Sequence, residues 1–185
     1  TEGAFEVHQF GGGHANLTYL LRFGETEFVL RRPPLGPVAP SAHDMAREHK
    51  VLSHLYNCFP LAPRSYHLCK DESVIGAPFH VMERRTGIVI RNDLPTAFID
   101  DKAVADRIGN AIVDTLAELH NLDPADVGLD DLGRPEGYLE RQVTGWIERW
   151  EAAQDQPVNG ADRLTHWLQE TRPRQKAVSL VHNDY

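Results

Sequence analysis

The sequence predicts an α+β fold, in which a five-stranded antiparallel sheet with one helix is followed by a mostly helical segment. Short runs with strand-like alternation, separated by glycine and proline turns, fill most of the first 85 residues, and one run of helical period interrupts them. Beyond residue 100, apolar residues recur every three or four positions. The pattern changes near residues 86–92, so we predict a sheet-containing lobe at residues 1–88 and a partial helical lobe at residues 89–185.

Three strands within residues 5–32 form the expected β-meander. The run "FEVHQF" is followed by the turn "GGGHAN" and the run "LTYLLRF", and the tight turn "GETE" leads into "FVLRR". Pro33 and Pro34 lack the backbone N–H that a sheet ladder requires, so the third strand ends before them.

The helix of the first lobe is predicted to start after Ser41, because Ser41 and Asp44 match a capping box. From Met45 onwards apolar residues recur at helical spacing, and Glu48 lies on their stripe. Two further strands, "RSYHLCKD" and "PFHVMER", complete the sheet. Helices follow at about residues 101–121, 135–154 and 161–171. The apolar run "AVSLVHND" is expected to be a closing buried strand.

Composition and charge exclude several classes of function. The net charge of −8 at pH 7 argues against a general nucleic-acid surface, and no apolar run approaches the roughly 20 residues of a membrane span. Cys58 and Cys69 are the only cysteines, so reduced thiols are favoured over a disulfide and a cytoplasmic location is expected. The ten histidines form no zinc-binding motif.

Glu48 is the residue that most constrains a functional site. The apolar stripe around it would bury its carboxylate, and a buried carboxylate is costly unless a cation pairs with it. Arg31, on the adjacent third strand, is the expected partner, because side chains alternate along a strand and Arg31 and Arg32 point to opposite faces. The alternative is a Glu48 that reaches solvent at the helix edge.

Two backbone segments are candidates for binding a nucleotide. The glycine-rich turn joins two strands, so it fits a hairpin that lies over phosphates and not a Rossmann loop; a plain hairpin turn is the alternative. The strand "FHVMER" runs into a polar linker, where kinase-like folds bind adenine through backbone groups, with Met82 packing behind the base. The alternative reading of Met82 is an ordinary core methionine.

The segment "LVHND" contains the candidate catalytic base. Asp184 follows an apolar run and a histidine, which suits a carboxylate that accepts a proton from a substrate hydroxyl, with His182 fixing the loop by hydrogen bonding. Serine, histidine and aspartate together also suggest a hydrolase, but the sequence has no GxSxG elbow.

The order and spacing of six segments resemble the aminoglycoside phosphotransferase-like family, which includes choline kinase-like proteins. The segments are the glycine hairpin, "FVLRRPP", "SAHDMAREHKVLSHL", "FHVMER", "LAELHNLD" and "LVHNDY". Within the family they are similar to the branch related to the kinase-like domains found with acyl-CoA dehydrogenases. The resemblance covers nearly the whole chain. It implies a protein-kinase-like fold that binds ATP between two lobes and transfers the γ-phosphate to a small-molecule hydroxyl.

The resemblance assigns a role to each candidate residue by position. Arg31 would contact the α- and β-phosphates, Glu48 would orient Arg31, and Asp184 would be the catalytic base beside His182. The phosphate-covering loop would comprise Gly11, Gly12, Gly13, His14 and Asn16. The adenine hinge would comprise Glu83, Arg84 and Arg85, with Met82 before it.

The chain departs from the family pattern at three points. Arg31 stands where many members have lysine, although "RRPP" is typical of this branch, and Asn183 replaces the commoner glycine. The family's metal-binding asparagine and aspartate have no counterpart here, so the Mg²⁺ ligands are expected after residue 185. We therefore expect the chain to be the front part of a longer kinase-like protein, and inactive by itself.

The expected partners are ATP and a hydroxylated small molecule, with a hydroxyacyl thioester favoured over an aminoglycoside by the branch resemblance. Neither a nucleic acid nor a membrane is expected as a partner, and a homodimer is the assembly considered. Two alternatives stay open. One is a nucleotide-binding pseudokinase or regulatory domain without phosphotransfer, and the other is an unrelated α+β interaction domain.

Overall fold

The computed structural model describes residues 4–11, 16–36, 43–90, 95–98, 101 and 103–182. Five strands in these ranges form one antiparallel sheet in the order β1-β2-β3-β5-β4: β1 (Phe5–Gln9), β2 (Leu17–Phe23), β3 (Thr26–Arg32), β4 (Ser65–Cys69) and β5 (Phe79–Glu83). Gly24 turns the chain between β2 and β3 with φ of 57°, a left-handed conformation that glycine adopts without steric cost. The predicted meander and the two later strands are confirmed.

Helix α1 (Met45–Leu55) packs on β4 and β5, with Met45 and Leu55 buried. Its predicted start is corrected, because Asp44 is the N-cap: Oδ1 of Asp44 accepts a hydrogen bond from the backbone N–H of Arg47 at 3.0 Å. Aspartate caps a helix as well as serine does, and its charge is favoured at a helix N-terminus. Ser41, the predicted cap, lies outside the described residues.

The sheet face beneath α1 carries the side chains that contact this helix. Val29 is buried on this face and pairs with Met82 across β3 and β5. A β-bulge between Ser65 and His67 shifts the register of β4 against β5. Because of this extra residue, Ser65 shares the face of His80, and its hydroxyl lies 3.2 Å from the His80 ring.

Helices make up the remaining regular structure of the described residues: a short 3-10 helix (Thr96–Phe98), α2 (Val104–His120), α3 (Tyr138–Ala153) and α4 (Ala161–Glu170). The three predicted helices are confirmed, with slightly shorter spans. None of the described helices is long and apolar enough to cross a membrane.

Two compact units divide the chain, one reaching His120 and the other spanning Asn121–Asp184. The first contains the sheet, α1 and α2. In the second, α3 contacts α4, and Leu129 and Ile147 are buried. The lobe boundary at residue 88 stays a prediction.

The predicted closing strand is wrong for residues 177–182, which have no regular secondary structure. Val178 and Val181 are 51% and 52% exposed. A strand requires a neighbour for its backbone N–H and C=O groups, and no strand in the described part of the chain pairs with this segment.

The N-cap of α1 can be tested by mutation. Asp44→Ala should lower the free energy of unfolding by about 1 kcal/mol, because the Arg47 N–H loses its acceptor. Urea denaturation followed by circular dichroism measures the loss. Asp44→Ser is the control and should retain most of the stability. Equal stability of Asp44→Ala and wild type would show that the cap contributes nothing.

Candidate functional site

An ion pair between β3 and α1 forms the centre of the candidate site. Nη1 of Arg31 donates a hydrogen bond to Oε1 of Glu48 at 2.7 Å. The two side chains are 34% and 23% exposed, so the pair is partly shielded from water. The pairing predicted from the sequence is present, and the alternative in which Glu48 turns away to solvent is wrong.

Opposing effects determine the charge of Glu48. Burial would raise the pKa of its carboxyl, but His80 and the Arg31 guanidinium lower it more, so the pKa lies below its usual value of 4.5. Glu48 is therefore ionised at neutral pH. An ionised carboxylate in this position holds the Arg31 guanidinium by a charged hydrogen bond.

Behind Glu48 lies a histidine that the sequence analysis did not single out. His80 is fully buried, and its Nε2 lies 3.4 Å from Oε1 of Glu48. Its Nδ1 is 3.2 Å from Oγ of Ser65, which is 2.8 Å from Nδ1 of His49. Burial is the main cause that lowers the pKa of His49 below 6.5. Strand alternation was the available signal, because it places this histidine on the face covered by the helix.

An open cavity of about 610 Å³ adjoins the ion pair, within the first unit. Arg31 and Arg47 contribute positive charge to its lining, and Met82 contributes apolar surface. Oδ1 of Asn16, at the end of the glycine-rich turn, lies 2.7 Å from Nδ1 of His43, just before α1. Asp44 and Glu48 also line the cavity, and each of these carboxylates accepts a hydrogen bond, from the Arg47 N–H and from Arg31 respectively. The cavity thus combines charged groups of both signs with apolar surface, which suits a ligand with a charged part and an apolar part.

The last residue of β5 and the polar linker that follows it are held by contacts to β3 and to the segments before β4. Glu83 donates its N–H to the carbonyl of Arg64 at 2.8 Å, and its Oε2 accepts the N–H of Arg64 at 3.0 Å. Arg84 forms an ion pair with Glu27 of β3. Nη2 of Arg85 donates to two carbonyls in the segment after α1, at 2.8 and 2.9 Å. Because the Glu83 N–H already has an acceptor, a base bound here would need other backbone groups of the linker.

Several predicted site residues lie outside the described residues: Gly12, Gly13, His14 and Asp184. Gly11 is exposed, with no atom within 4 Å of the position a Cβ would take, and His182 is also exposed. The roles assigned to these residues stay predictions. Within the described ranges, no group of three or more His, Cys, Asp or Glu side chains is arranged to hold a metal ion. The described residues do not fit an Mg²⁺ site, and we assign no metal ligand.

Comparison with known sequences identifies relatives over almost the whole chain. A sequence model of the phosphotransferase enzyme family matches residues 6–185. The chain is 34% identical over 184 residues to acyl-CoA dehydrogenase family member 10 of Mus musculus, covering 99% of this chain and 17% of that protein. It is 35% identical over 186 residues to acyl-CoA dehydrogenase family member 11 of Homo sapiens, covering 100% and 24%. The chain therefore spans about a quarter or less of the length of these relatives.

Comparison with solved structures shows the fold. A Ralstonia eutropha protein described as a candidate aminoglycoside phosphotransferase has a TM-score of 0.79 and 30% identity, over 100% of this chain and 54% of its own. The GDP complex of aminoglycoside 2'-phosphotransferase-IIIa has a TM-score of 0.55 and 17% identity, over 91% and 54%, and supports the fold alone. The protein-kinase-like fold predicted from the sequence is confirmed. With matching sequence and matching architecture, the chain belongs to the phosphotransferase enzyme family.

Proposed function

We propose that this chain is the nucleotide-binding part of an ATP-dependent phosphotransferase that phosphorylates a hydroxyl group of a small metabolite. The observation that carries the proposal is the Arg31–Glu48 ion pair beside a cavity whose lining includes Arg31, Arg47 and apolar side chains. Membership of the phosphotransferase enzyme family agrees with it. The activity belongs to the complete protein, because the curated relatives are several times longer than the chain.

Arg31 is the proposed ligand of the α- and β-phosphates. A guanidinium has five N–H donors in a planar fork, so Arg31 can donate one N–H to Glu48 while its other donors would bind phosphate oxygens. Electrostatic stabilisation of phosphate charge and accurate positioning supply most of the catalysis in phosphoryl transfer. Gly11 to Asn16 would cover the phosphates, and Asn16, the last of these residues, contacts His43 just before α1.

The linker after β5 is the proposed binding site of the base. Its anchoring to β3 and to the segment after α1 would hold its backbone groups in fixed positions before a nucleotide arrives. Met82, which lines the cavity, would pack against the base. Hydrogen bonds would come from backbone groups of Glu83, Arg84 and Arg85 other than the Glu83 N–H, which is bonded to Arg64.

Asp184 is the proposed general base, on the basis of the sequence resemblance. Its carboxylate would accept the proton of the acceptor hydroxyl as that oxygen forms a bond to the γ-phosphorus. The bond from the γ-phosphorus to the β–γ bridging oxygen breaks, and ADP leaves with the electron pair. His182 would hold the loop of the base by hydrogen bonding.

The acceptor is proposed to be a hydroxylated metabolite, and a hydroxyacyl thioester is the first candidate. The curated relatives are named as acyl-CoA dehydrogenase family members, and acyl-CoA is an acyl thioester, whereas the structural neighbours are named for aminoglycosides. The sequence relatives match almost the entire chain at 34–35% identity, so they weigh more in this choice.

The proposed phosphate ligand and base can be separated by mutation in the complete protein. Arg31→Ala should lower kcat/KM for ATP by about 100-fold or more, because a cation that stabilises phosphate charge is lost. Asp184→Asn should abolish turnover but leave ATP binding largely intact. Coupled ADP-release assays and calorimetric ATP titrations measure the two effects, and Arg32→Ala, whose strand position faces the opposite way, is the matched control. Full activity of Arg31→Ala would contradict the assignment, and ATP binding by wild type without transfer would favour a pseudokinase.

The ionisation of Glu48 predicts a pH dependence of stability. Glu48→Gln should lower the free energy of unfolding by about 1.5–3 kcal/mol at pH 7, because a charged hydrogen bond is lost. The folded-state pKa of Glu48 is depressed, so wild type gains this stability above pH 4.5 and loses it as the pH falls through the folded-state pKa. Denaturation at several pH values measures the difference. Glu25→Gln in the exposed β2–β3 turn is the control and should show little change. A difference that stays constant down to pH 3 would contradict the pair.

The acceptor class can be tested by comparing substrates. With the complete protein, ATP and a hydroxyacyl-CoA, ADP release should exceed the background, whereas aminoglycosides should give none. GTP should support less transfer than ATP at equal concentration. Aminoglycoside-dependent ADP release would overturn the proposed acceptor class while leaving phosphotransfer itself in place.

A further inference from the structure

The contacts around His80 determine where its ring hydrogen lies. An ionised Glu48 can only accept hydrogen bonds, so the approach of Nε2 to Oε1 at 3.4 Å is favourable only when Nε2 carries a hydrogen. In a neutral ring Nδ1 then accepts, and the Ser65 hydroxyl donates to it across 3.2 Å. The Ser65 oxygen in turn accepts from Nδ1–H of His49 at 2.8 Å. Hydrogens assigned from contacts in this way all point towards Glu48.

His80 is the fixed member of this chain of contacts. It lies in β5, between β3 and β4, and its side chain is fully buried. No described group accepts from Nε2 with hydrogen-bond geometry, although Oε1 of Glu48 is 3.4 Å away. A buried donor without a well-formed bond favours any movement that completes it. Glu48, which is 23% exposed, is the side chain that can move.

The same carboxylate oxygen therefore faces two donors from the sheet. Nη1 of Arg31 donates to Oε1 of Glu48 at 2.7 Å, Nε2 of His80 lies 3.4 Å from the same oxygen, and Arg31 and His80 are directly opposite each other in the register of β3 and β5. An apolar residue at position 80 would fill the space equally well, but it would leave Glu48 held by Arg31 alone. The histidine adds a second contact to the same oxygen, and two contacts from different strands restrict the position of Oε1 more than one does.

We propose that His80 is a positioning residue for the phosphate-binding cation: it fixes Glu48 from the buried side, and Glu48 in turn fixes Arg31. Ser65 and His49 hold the His80 ring in the orientation that presents Nε2–H to the carboxylate. The inference rests on the proposed function, because the orientation of Arg31 matters for catalysis only when Arg31 binds phosphate. Nothing in it requires His80 to touch the nucleotide.

Two amide substitutions separate the two ring nitrogens. The side-chain nitrogen of Gln lies where Nε2 lies in histidine, and that of Asn lies where Nδ1 lies. The side chain of His80→Gln should therefore still donate an N–H to Glu48, and this variant should keep kcat/KM for ATP within about threefold of wild type. His80→Asn and His80→Leu should lower it by about 10- to 100-fold, because a small misplacement of a phosphate ligand is costly. His8→Asn, at an exposed position of β1, is the matched control and should leave kcat/KM for ATP unchanged.

A double-mutant cycle tests whether His80 acts through Glu48. If it does, adding His80→Asn to Glu48→Gln should produce no further loss of kcat/KM or of ATP affinity. A merely structural role would give additive losses, and it would make His80→Gln and His80→Asn equally harmful. Melting temperatures of all variants identify those whose activity falls because they unfold. If His80→Leu does not fold, the comparison of His80→Gln with His80→Asn replaces it.

A spectroscopic measurement tests the geometry without any turnover. Nitrogen-15 correlation spectra of the complete protein, with labelled histidine and His80→Gln for assignment, should show the His80 hydrogen on Nε2. A hydrogen on Nδ1 alone, additive losses, or equal effects of the two amide substitutions would each overturn the inference. If wild type binds ATP but transfers no phosphate, the proposed function is wrong. The position of the His80 hydrogen and the double-mutant cycle, measured by ATP affinity, then still decide the role of His80. If wild type binds no ATP, the Nε2 hydrogen decides it alone.

Discussion

A carboxylate held between a helix and a sheet requires a cation beside it, and the Arg31–Glu48 pair meets this requirement where α1 packs on the sheet. The pair links the side of α1 that faces the sheet to the third strand. Strand β3 must therefore present Arg31, and not Arg32, to the face that α1 covers. The depressed pKa of Glu48 shows that the attraction of its neighbours exceeds the cost of its burial.

The cavity acquires its chemistry from this one contact. A charged pair that is partly shielded from water keeps its strength better than an exposed pair, so Arg31 is held beside the cavity before any ligand arrives. The polar linker after β5 is also fixed in advance, by the Arg84–Glu27 pair and by the bonds of Arg85. A site held in this way loses less conformational entropy when a nucleotide binds. This preorganisation is the physical basis of the proposed phosphotransfer.

Local patterns predicted most of the fold because burial along strands and helices is periodic. The five sheet strands, α1 and the three later helices follow alternation or helical spacing, and Glu48 on an apolar stripe was sufficient to predict its pairing with a cation. The start of α1 was predicted less well, because serine and aspartate are both good N-cap residues. Only the hydrogen bond from the Arg47 N–H to Asp44 shows that Asp44 is the cap. The apolar run at residues 177–182 reads as a strand, but strands also require a partner.

The sequence by itself determined the sheet, the helices and the Arg31–Glu48 pair, because each depends on spacing within a short segment or on the cost of one buried charge. Tertiary structure alone decided the contacts of His80. They join side chains from three consecutive elements, α1, β4 and β5, and they depend on a β-bulge that turns Ser65 towards the buried ring. No periodic pattern predicts the meeting of side chains from α1, β4 and β5, because their distances are set by the packing of the helix on the sheet.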